Sequence, residues 1–198
     1  IQLNPSALLT GDWHLTENQP TCRTDNFWEA QWKKVDAVRE LQQRYNCPVL
    51  HSGDLFDHWK PSPYLLSCTI DRMPEDMYVV YGNHDLPQHS LDKKDKSGIE
   101  TLRMAGKLNV LEGIHWGETP EKGAVIWPGL ESPRLIAVWH VMTFKTGKPP
   151  WPGCEDLSTK EILEAYPEFD LIMTGHHHKT FTEEMDGRLL VNPGSLTR

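Results

Sequence analysis

The sequence predicts an α/β fold, two packed sheets with helices on their outer faces, in a chain of 198 residues. Three observations carry that prediction. Short apolar runs recur along the chain and end in small and ionisable residues, as in Val49-Leu50-His51-Ser52-Gly53-Asp54. Through the first half these runs alternate with segments of helical periodicity, which marks βαβ units with at least partly parallel pairing. The second half brings several short strand-like pieces in succession and reads as a meander forming a second sheet. At this length one hydrophobic core suffices, so a single domain over 1–198 without a separate capping domain is expected.

Residues 7–9 form the first predicted strand and deliver Asp12 and His14 to one side of the following turn. In the helix that follows, Asn26 with Glu29 makes a capping box, and Trp28, Trp32, Val35, Val38, Leu41 and Tyr45 share one face as its core side. Asn46 and Pro48 stop this helix. Val49 and Leu50 begin the second strand, which opens at Gly53 into Asp54 and Asp57; glycine there permits a bend or a close approach that a side chain would obstruct. Ser62-Pro63 reads as the N-cap and first position of a second helix that ends near Arg72 and Pro74. A third strand, 77–81, delivers Gly82-Asn83-His84-Asp85.

The polar loop 86–98 carries Lys93, Lys94 and Lys96 and is expected to overhang that motif. A third helix, 99–107, leads to strand-like pieces at 110–111, 114–116 and 125–127, then to an apolar run from 135 that ends in His140. Prolines between 144 and 157 exclude regular helix or central strand there, and Trp151 either stacks a base or pins the loop to the core. Ser158 with Glu161 caps a fourth helix to about residue 166, and a strand over 170–173 presents His176, His177 and His178. Asp186-Gly187 turns a closing hairpin between 181–185 and 188–191.

A formal charge of −8 argues against a broad nucleic-acid-binding face, while leaving room for a local basic strip. The apolar runs are too short to span a bilayer, and residues 1–20 lack a signal-peptide pattern. Cys22, Cys47, Cys68 and Cys154 form no C-x-x-C pair, so free thiols in a reducing, cytoplasmic setting are expected.

Asp, Asn and His at successive strand ends are side chains that hold a divalent cation through oxygen and imidazole nitrogen. In order they read D-x-H (Asp12, His14), G-D-x-x-D (Asp54, Asp57), G-N-H-D (Asn83, His84, Asp85), a lone His140 and G-H-x-H (His176, His178). This series closely resembles the calcineurin-like metallophosphoesterases. The resemblance implies a four-layer α/β/β/α sandwich and a dinuclear centre. In it Asp54 bridges two ions, Asp12, His14 and His178 complete one site, and Asn83, His140 and His176 complete the other. Two divalent cations roughly 3.5–4 Å apart share the nonbridging oxygens of a phosphodiester and hold a hydroxide nucleophile at neutral pH. Manganese is the expected ion, with iron, zinc and magnesium as alternatives. The resemblance also makes His84 the general acid and Asp57 its carboxylate partner. Asp85 reads as a structural acid of the turn. His177 should face away from the metal pair, because neighbours on an extended segment point oppositely, and remains available to touch substrate. His51, His58, His89 and His115 have no motif partner and default to core or surface roles.

The flanks of the motifs bear on substrate. The stretch 53–62 with Gly82-Asn83-His84-Asp85-Leu86-Pro87 looks most like the SbcD-type DNA repair nucleases. That likeness implies DNA as substrate, held by a cationic strip of Lys60, Lys93, Lys94 and Lys96 with Lys145 and Lys148. It leaves a homodimer and an ATPase partner open, although the segment that grips the ATPase is not evident. Gly175-His176 to Lys179, with Val191-Asn192-Pro193-Gly194-Ser195, also resembles small stand-alone phosphodiesterases that act on nucleotides or other simple phosphoesters. A non-catalytic scaffold is the third reading, disfavoured because no ligand position is substituted.

Overall fold

The computed structural model describes residues 5–115, 117–118, 125–127, 134–145 and 157–197. Four short strands, β1 (Leu8–Thr10), β2 (Val49–His51), β3 (Met77–Val79) and β4 (Asn109–Val110), form one sheet in the order β1-β2-β3-β4, all parallel. A second sheet holds β5 (Val125–Trp127), β6 (Arg134–Trp139), β7 (Leu171–Thr174), β8 (Phe181–Met185) and β9 (Arg188–Asn192), in the order β5-β6-β7-β9-β8.

Alternation along the strands sorts side chains between layers. Val49 and Val79 face a core shared with Trp32 and Val35 of helix α1 (Phe27–Tyr45), Leu65 of α2 (Pro63–Arg72) and Ile99 and Leu102 of α3 (Gly98–Met104). Leu50 and Val80 point the other way, against Ile136, Val138 and Met173 of the second sheet. On the far side of that sheet, Ala137, Trp139, Ile172 and Leu190 pack with Ile162 and Leu163 of α4 (Thr159–Ala165). The result is a four-layer α/β/β/α sandwich, with period-two strands buried on both faces in its middle.

The N-caps fall where the sequence puts them, although Asn26/Glu29 shows only half of the expected capping box. Asn26 accepts the Glu29 N–H, Ser62 accepts the Leu65 N–H with Pro63 behind it, and Ser158 with Glu161 forms a reciprocal capping box. Asp186 and Gly187 both adopt left-handed backbone (φ 54° and 76°), the turn that joins β8 to β9.

Several expectations are corrected. The strand expected at 110–111 is β4, which pairs with β3, so it completes the first sheet. The second sheet is not a meander, because α4 carries the chain from β6 to β7 in parallel and β7 also pairs in parallel with β9. At 114–116 only a single bridge, Ile114 to Trp139, is present among the described residues. α3 stops at Met104 because Gly106 takes a left-handed conformation (φ 67°) that breaks the helical repeat. On α1, Leu41 is exposed and Gln31 and Gln42 are buried; Gln31 is satisfied there by bonding both the N–H and the C=O of Thr16. The 86–98 loop contains two 3₁₀ turns, Pro87–His89 and Leu91–Lys96. Lys148, Trp151 and Cys154 lie outside the described residues. Among the described residues, no helix is long and apolar enough to cross a membrane.

Candidate metal centre

The chemistry-bearing side chains sit on turns that leave β1, β2, β3, β6 and β7 at their carboxyl ends, where an open α/β sheet presents its functional groups. Four of these residues hold left-handed backbone: Asp12 (φ 48°), His14 (φ 47°), Asp54 (φ 56°) and His176 (φ 69°). Such conformations cost of order 1 kcal/mol or more each and persist only where surrounding bonds enforce them. Here the Asp12 N–H donates to the Gly53 carbonyl at 3.0 Å, the His14 N–H to the Asp54 carbonyl at 3.0 Å, and the His176 N–H to Asp12 Oδ1 at 3.0 Å. Two glycines allow the turns to close on one another. A Cβ at Gly53 would strike the His140 ring, and one at Gly82 would strike Asp54.

Two donor clusters flank Asp54, and a third group, His14 with Asp57 and His84, lies beside the first. In one, Asp12, His14 and His178 converge, with His14 Nε2 and His178 Nε2 at 3.1 Å and His178 Nε2 at 3.8 Å from Asp12 Oδ1. In the other, Asp54, His140 and His176 converge, and Asn83 Oδ1 lies 3.1 Å from both His140 Nε2 and His176 Nδ1. Asp54 Oδ2 stands between them, 3.6 Å from His14 Nε2 and 3.3 Å from His140 Nε2. Its other oxygen accepts the His84 N–H at 2.9 Å, which fixes the carboxylate plane. His140 is oriented by donating from Nδ1 to the Ser52 carbonyl at 2.7 Å, so Nε2 is the atom aimed into the cluster.

The donor set fits divalent cations. Oxygen and imidazole donors in two clusters with one shared carboxylate suit a pair of first-row ions. Asp12 Oδ2 is buried and has no hydrogen-bond partner among the described residues, as expected of an acceptor waiting for a cation. The electrostatics agree. Burial raises the Asp12 carboxyl to about 6, against the pull of His140. Burial would also raise Asp54, but the surrounding histidines, His140 foremost, hold it well below the usual carboxylate range. Burial works against a charged His140, yet Asp54 raises it to about 9. His176 is lowered to about 4 by burial and by His140. At Asp12, Asp54 and His140 the site concentrates unlike charges that are buried and little screened by solvent.

The remaining predicted residues divide. His84 stands beside the first cluster, its ring 4.8 Å from that of His14, and its Nδ1 donates to an oxygen of Asp57 at 2.8 Å. That oxygen is the main-chain carbonyl, not the carboxylate expected from the resemblance; the Asp57 Oδ1 approaches His14 Nδ1 at 3.5 Å. Asp85 does orient the turn, accepting the N–H groups of Leu55, Phe56 and Gly82, and burial followed by the nearby Asp54 raises it to about 7. His177 packs edge-on against Phe181. Lys60 is exposed beyond the second motif, and Lys96 is exposed on its 3₁₀ turn. Lys93 bonds Gln88, and Lys94 lines a cleft with Asp92, Asp95, Glu112 and Glu118. His51 is a buried core residue, edge-on to Trp13, whose Nδ1 accepts the Gly53 N–H. Sequence reasoning passed over three supports. His89 Nδ1 donates to the Asn83 carbonyl at 2.8 Å, and the Ser52 carbonyl holds His140. The Ser195 hydroxyl donates to the Asp12 carbonyl at 2.6 Å while its N–H donates to the His178 carbonyl. The run 192–195, singled out only for its likeness to small stand-alone phosphodiesterases, was the signal for the last.

Comparison with known proteins agrees with this architecture. The model of the calcineurin-like phosphoesterase superfamily domain matches residues 8–198. The DNA double-strand break repair protein Mre11 of Methanococcus maripaludis is 26% identical over 72 residues, 33% of this chain. The match spans 18% of Mre11, so the chain corresponds to less than a fifth of that curated relative. A Staphylococcus aureus structure named as a candidate 5′-nucleotidase superposes with a TM-score of 0.59 at 15% identity, covering 96% of this chain and 48% of that one. TT1561 of Thermus thermophilus superposes with a TM-score of 0.51 at 13% identity, covering 96% and 89%. At such identities the structural matches bear on fold alone.

Proposed function

Because the chain belongs to the calcineurin-like phosphoesterase superfamily, we propose that it is a metal-dependent phosphodiester hydrolase with DNA as its substrate. The observation that carries the phosphoesterase reading is the convergence of two His/Asp donor clusters on one carboxylate oxygen, Asp54 Oδ2. Asp12, His14 and His178 would hold one divalent ion, and Asn83, His140 and His176 the other, with Asp54 shared; manganese suits these oxygen and imidazole donors. When bound, such a pair neutralises the charge of the phosphoester oxygens and supplies an activated water. The chain's own part is positional. Asp54 keeps its shared oxygen in place through the His84 N–H. His84, anchored at Nδ1 by the Asp57 carbonyl, presents Nε2 as the group that delivers a proton to the leaving oxygen.

DNA is supported by the Mre11 likeness and by the lysines beyond the second and third motifs. A small diester is the second reading, favoured by the acids that accompany Lys94 in its cleft. Assays of plasmid, single-stranded oligonucleotide, cyclic nucleotide and a nitrophenyl diester, each with manganese and with chelator, separate the two. The proposal expects manganese-dependent cleavage of DNA that weakens steeply with added salt. It also expects that glutamate at Lys93, Lys94 and Lys96 raises KM for DNA far more than for the nitrophenyl diester. Equal effects on both, or no cleavage of either DNA form, would favour the small diester.

A further inference from the structure

Beside the first donor cluster, the loop 16–23 encloses a cavity of about 430 Å³. His14 and Asp57 are among its lining residues, so it lies against the candidate centre. Pro20, Cys22 and Phe27 also line it. The volume lies in the range of small-molecule sites, about 300–1,000 Å³.

The loop is built, not loose. The Gln19 side chain donates to the carbonyls of Arg23 (3.1 Å) and Asp25 (2.7 Å) and accepts the Phe27 N–H at 3.3 Å, while Gln31 clamps both main-chain groups of Thr16. Arg23 is the permanent cation among the described lining residues, and it is already committed. It pairs with Asp25 at 2.5 Å, bonds the Thr197 carbonyl at 3.0 Å and lies over the Phe27 ring at 5.2 Å. Apart from the Asp57 carboxylate and the committed Arg23, the cavity therefore offers apolar and neutral surface, with no spare cation among the described lining residues for a second phosphate.

We propose that this cavity receives one ester arm of the substrate and selects a planar aromatic group there, an aryl ring or a nucleobase. Its role presupposes the phosphoester chemistry proposed above. A phosphorus atom seated over the clusters puts one ester arm against His14 and Asp57, at the cavity mouth, and the wall of Phe27 and Pro20 rewards a flat apolar group. The selectivity is separate from any lysine strip, because it acts on the uncharged part of the substrate.

The test uses phenylphosphonate and methylphosphonate as inhibitors of nitrophenyl diester hydrolysis with manganese. They share the charged head and differ only in the arm. Phenylphosphonate is expected to bind at least about tenfold more tightly. Cys22→Trp, which fills the cavity from an exposed loop position, should reduce that preference to about twofold or less. A readout independent of turnover uses the unaltered protein: phenylphosphonate should slow maleimide labelling of Cys22, read at the peptide level, and methylphosphonate should not. Thymidine 5′-phosphate against deoxyribose 5-phosphate then separates the sources. A gain from the base identifies a nucleotide arm; a phenyl preference without it identifies an aryl ester. Equal inhibition by the two phosphonates, with unprotected Cys22, overturns the cavity's role while hydrolysis itself stands. Absence of any manganese-dependent hydrolysis would overturn the phosphoesterase reading and the cavity's role with it.

Discussion

The two donor clusters are unequal in depth. Asp54 and His140 are buried, with 1% and 0% of their surface exposed, their companions Asn83 and His176 are half-buried, and His140 is pinned by the Ser52 carbonyl. The other cluster has a buried base, Asp12 and His14, but its third member, His178, leaves 37% of its side chain open to solvent. That open flank also borders the cavity of the 16–23 loop and carries His84 and Asp57. On the function proposed above, such inequality would divide the labour, the deep cluster anchoring and the shallow one facing substrate.

The change expected to disrupt this division most severely is Asp54→Asn, because one oxygen serves both clusters. Turnover should fall further than the about 10²–10⁴-fold typical of losing an acid–base group, as read by steady-state assay with excess manganese. His84→Ala should cost within that about 10²–10⁴-fold range while leaving metal content intact by elemental analysis. Loss of metal in His84→Ala would make it a ligand. Asp57→Asn should act more weakly, since the anchor of His84 is the main-chain carbonyl, which the substitution keeps.

The depth contrast itself is resolved further by comparing His140→Ala with His178→Ala. Removing His140 takes from the buried Asp54 the nearest imidazole to its shared oxygen, and the chelated protein should lose about 3–5 kcal/mol in urea unfolding. His178→Ala should leave unfolding nearly unchanged and weaken manganese binding at the outer cluster by about 10–100-fold, judged by titration. Equal unfolding losses would remove the contrast.

How much of this was legible follows from the same contrast. Asp12, His14, Asp54, Asn83 and His84 follow apolar runs and lie within three residues of a glycine, so residue type alone marked them. The parallel first sheet was legible because Val49 and Leu50 are buried on both faces and the caps Asn26 and Ser62 mark its helices. The second sheet was misread because β4 has only two residues, Asn109–Val110, and an apolar run does not encode which neighbour it pairs with. The Ser52 and Asp57 carbonyls orient His140 and His84 as main-chain groups, which any residue type supplies. The 16–23 cavity depends on Gln19 reaching three backbone groups, a property of loop shape and not of composition.

The smallest expected effect concerns the floor beneath the deep cluster. Burial first, and then His140, lowers His51 to about 3, so the folded chain binds fewer protons there than the unfolded chain, whose imidazole titrates near 6.5. Stability from this group is complete above pH 6.5 and is lost as pH falls toward 3, by at most about 1.4 kcal/mol per pH unit. Denaturation of His51→Asn, which retains an acceptor for the Gly53 N–H, should show a shallower loss between about pH 6 and 4 than the unaltered chain.

Whether two cation sites are joined by Asp54 is decided by manganese stoichiometry with electron paramagnetic resonance, on the unaltered chain and on Asp54→Asn. Two ions per chain with a spin-coupled signal are expected, with loss of both the coupling and at least one ion in the variant. One ion per chain in the unaltered protein, or two coupled ions retained in Asp54→Asn, would contradict the shared-carboxylate centre.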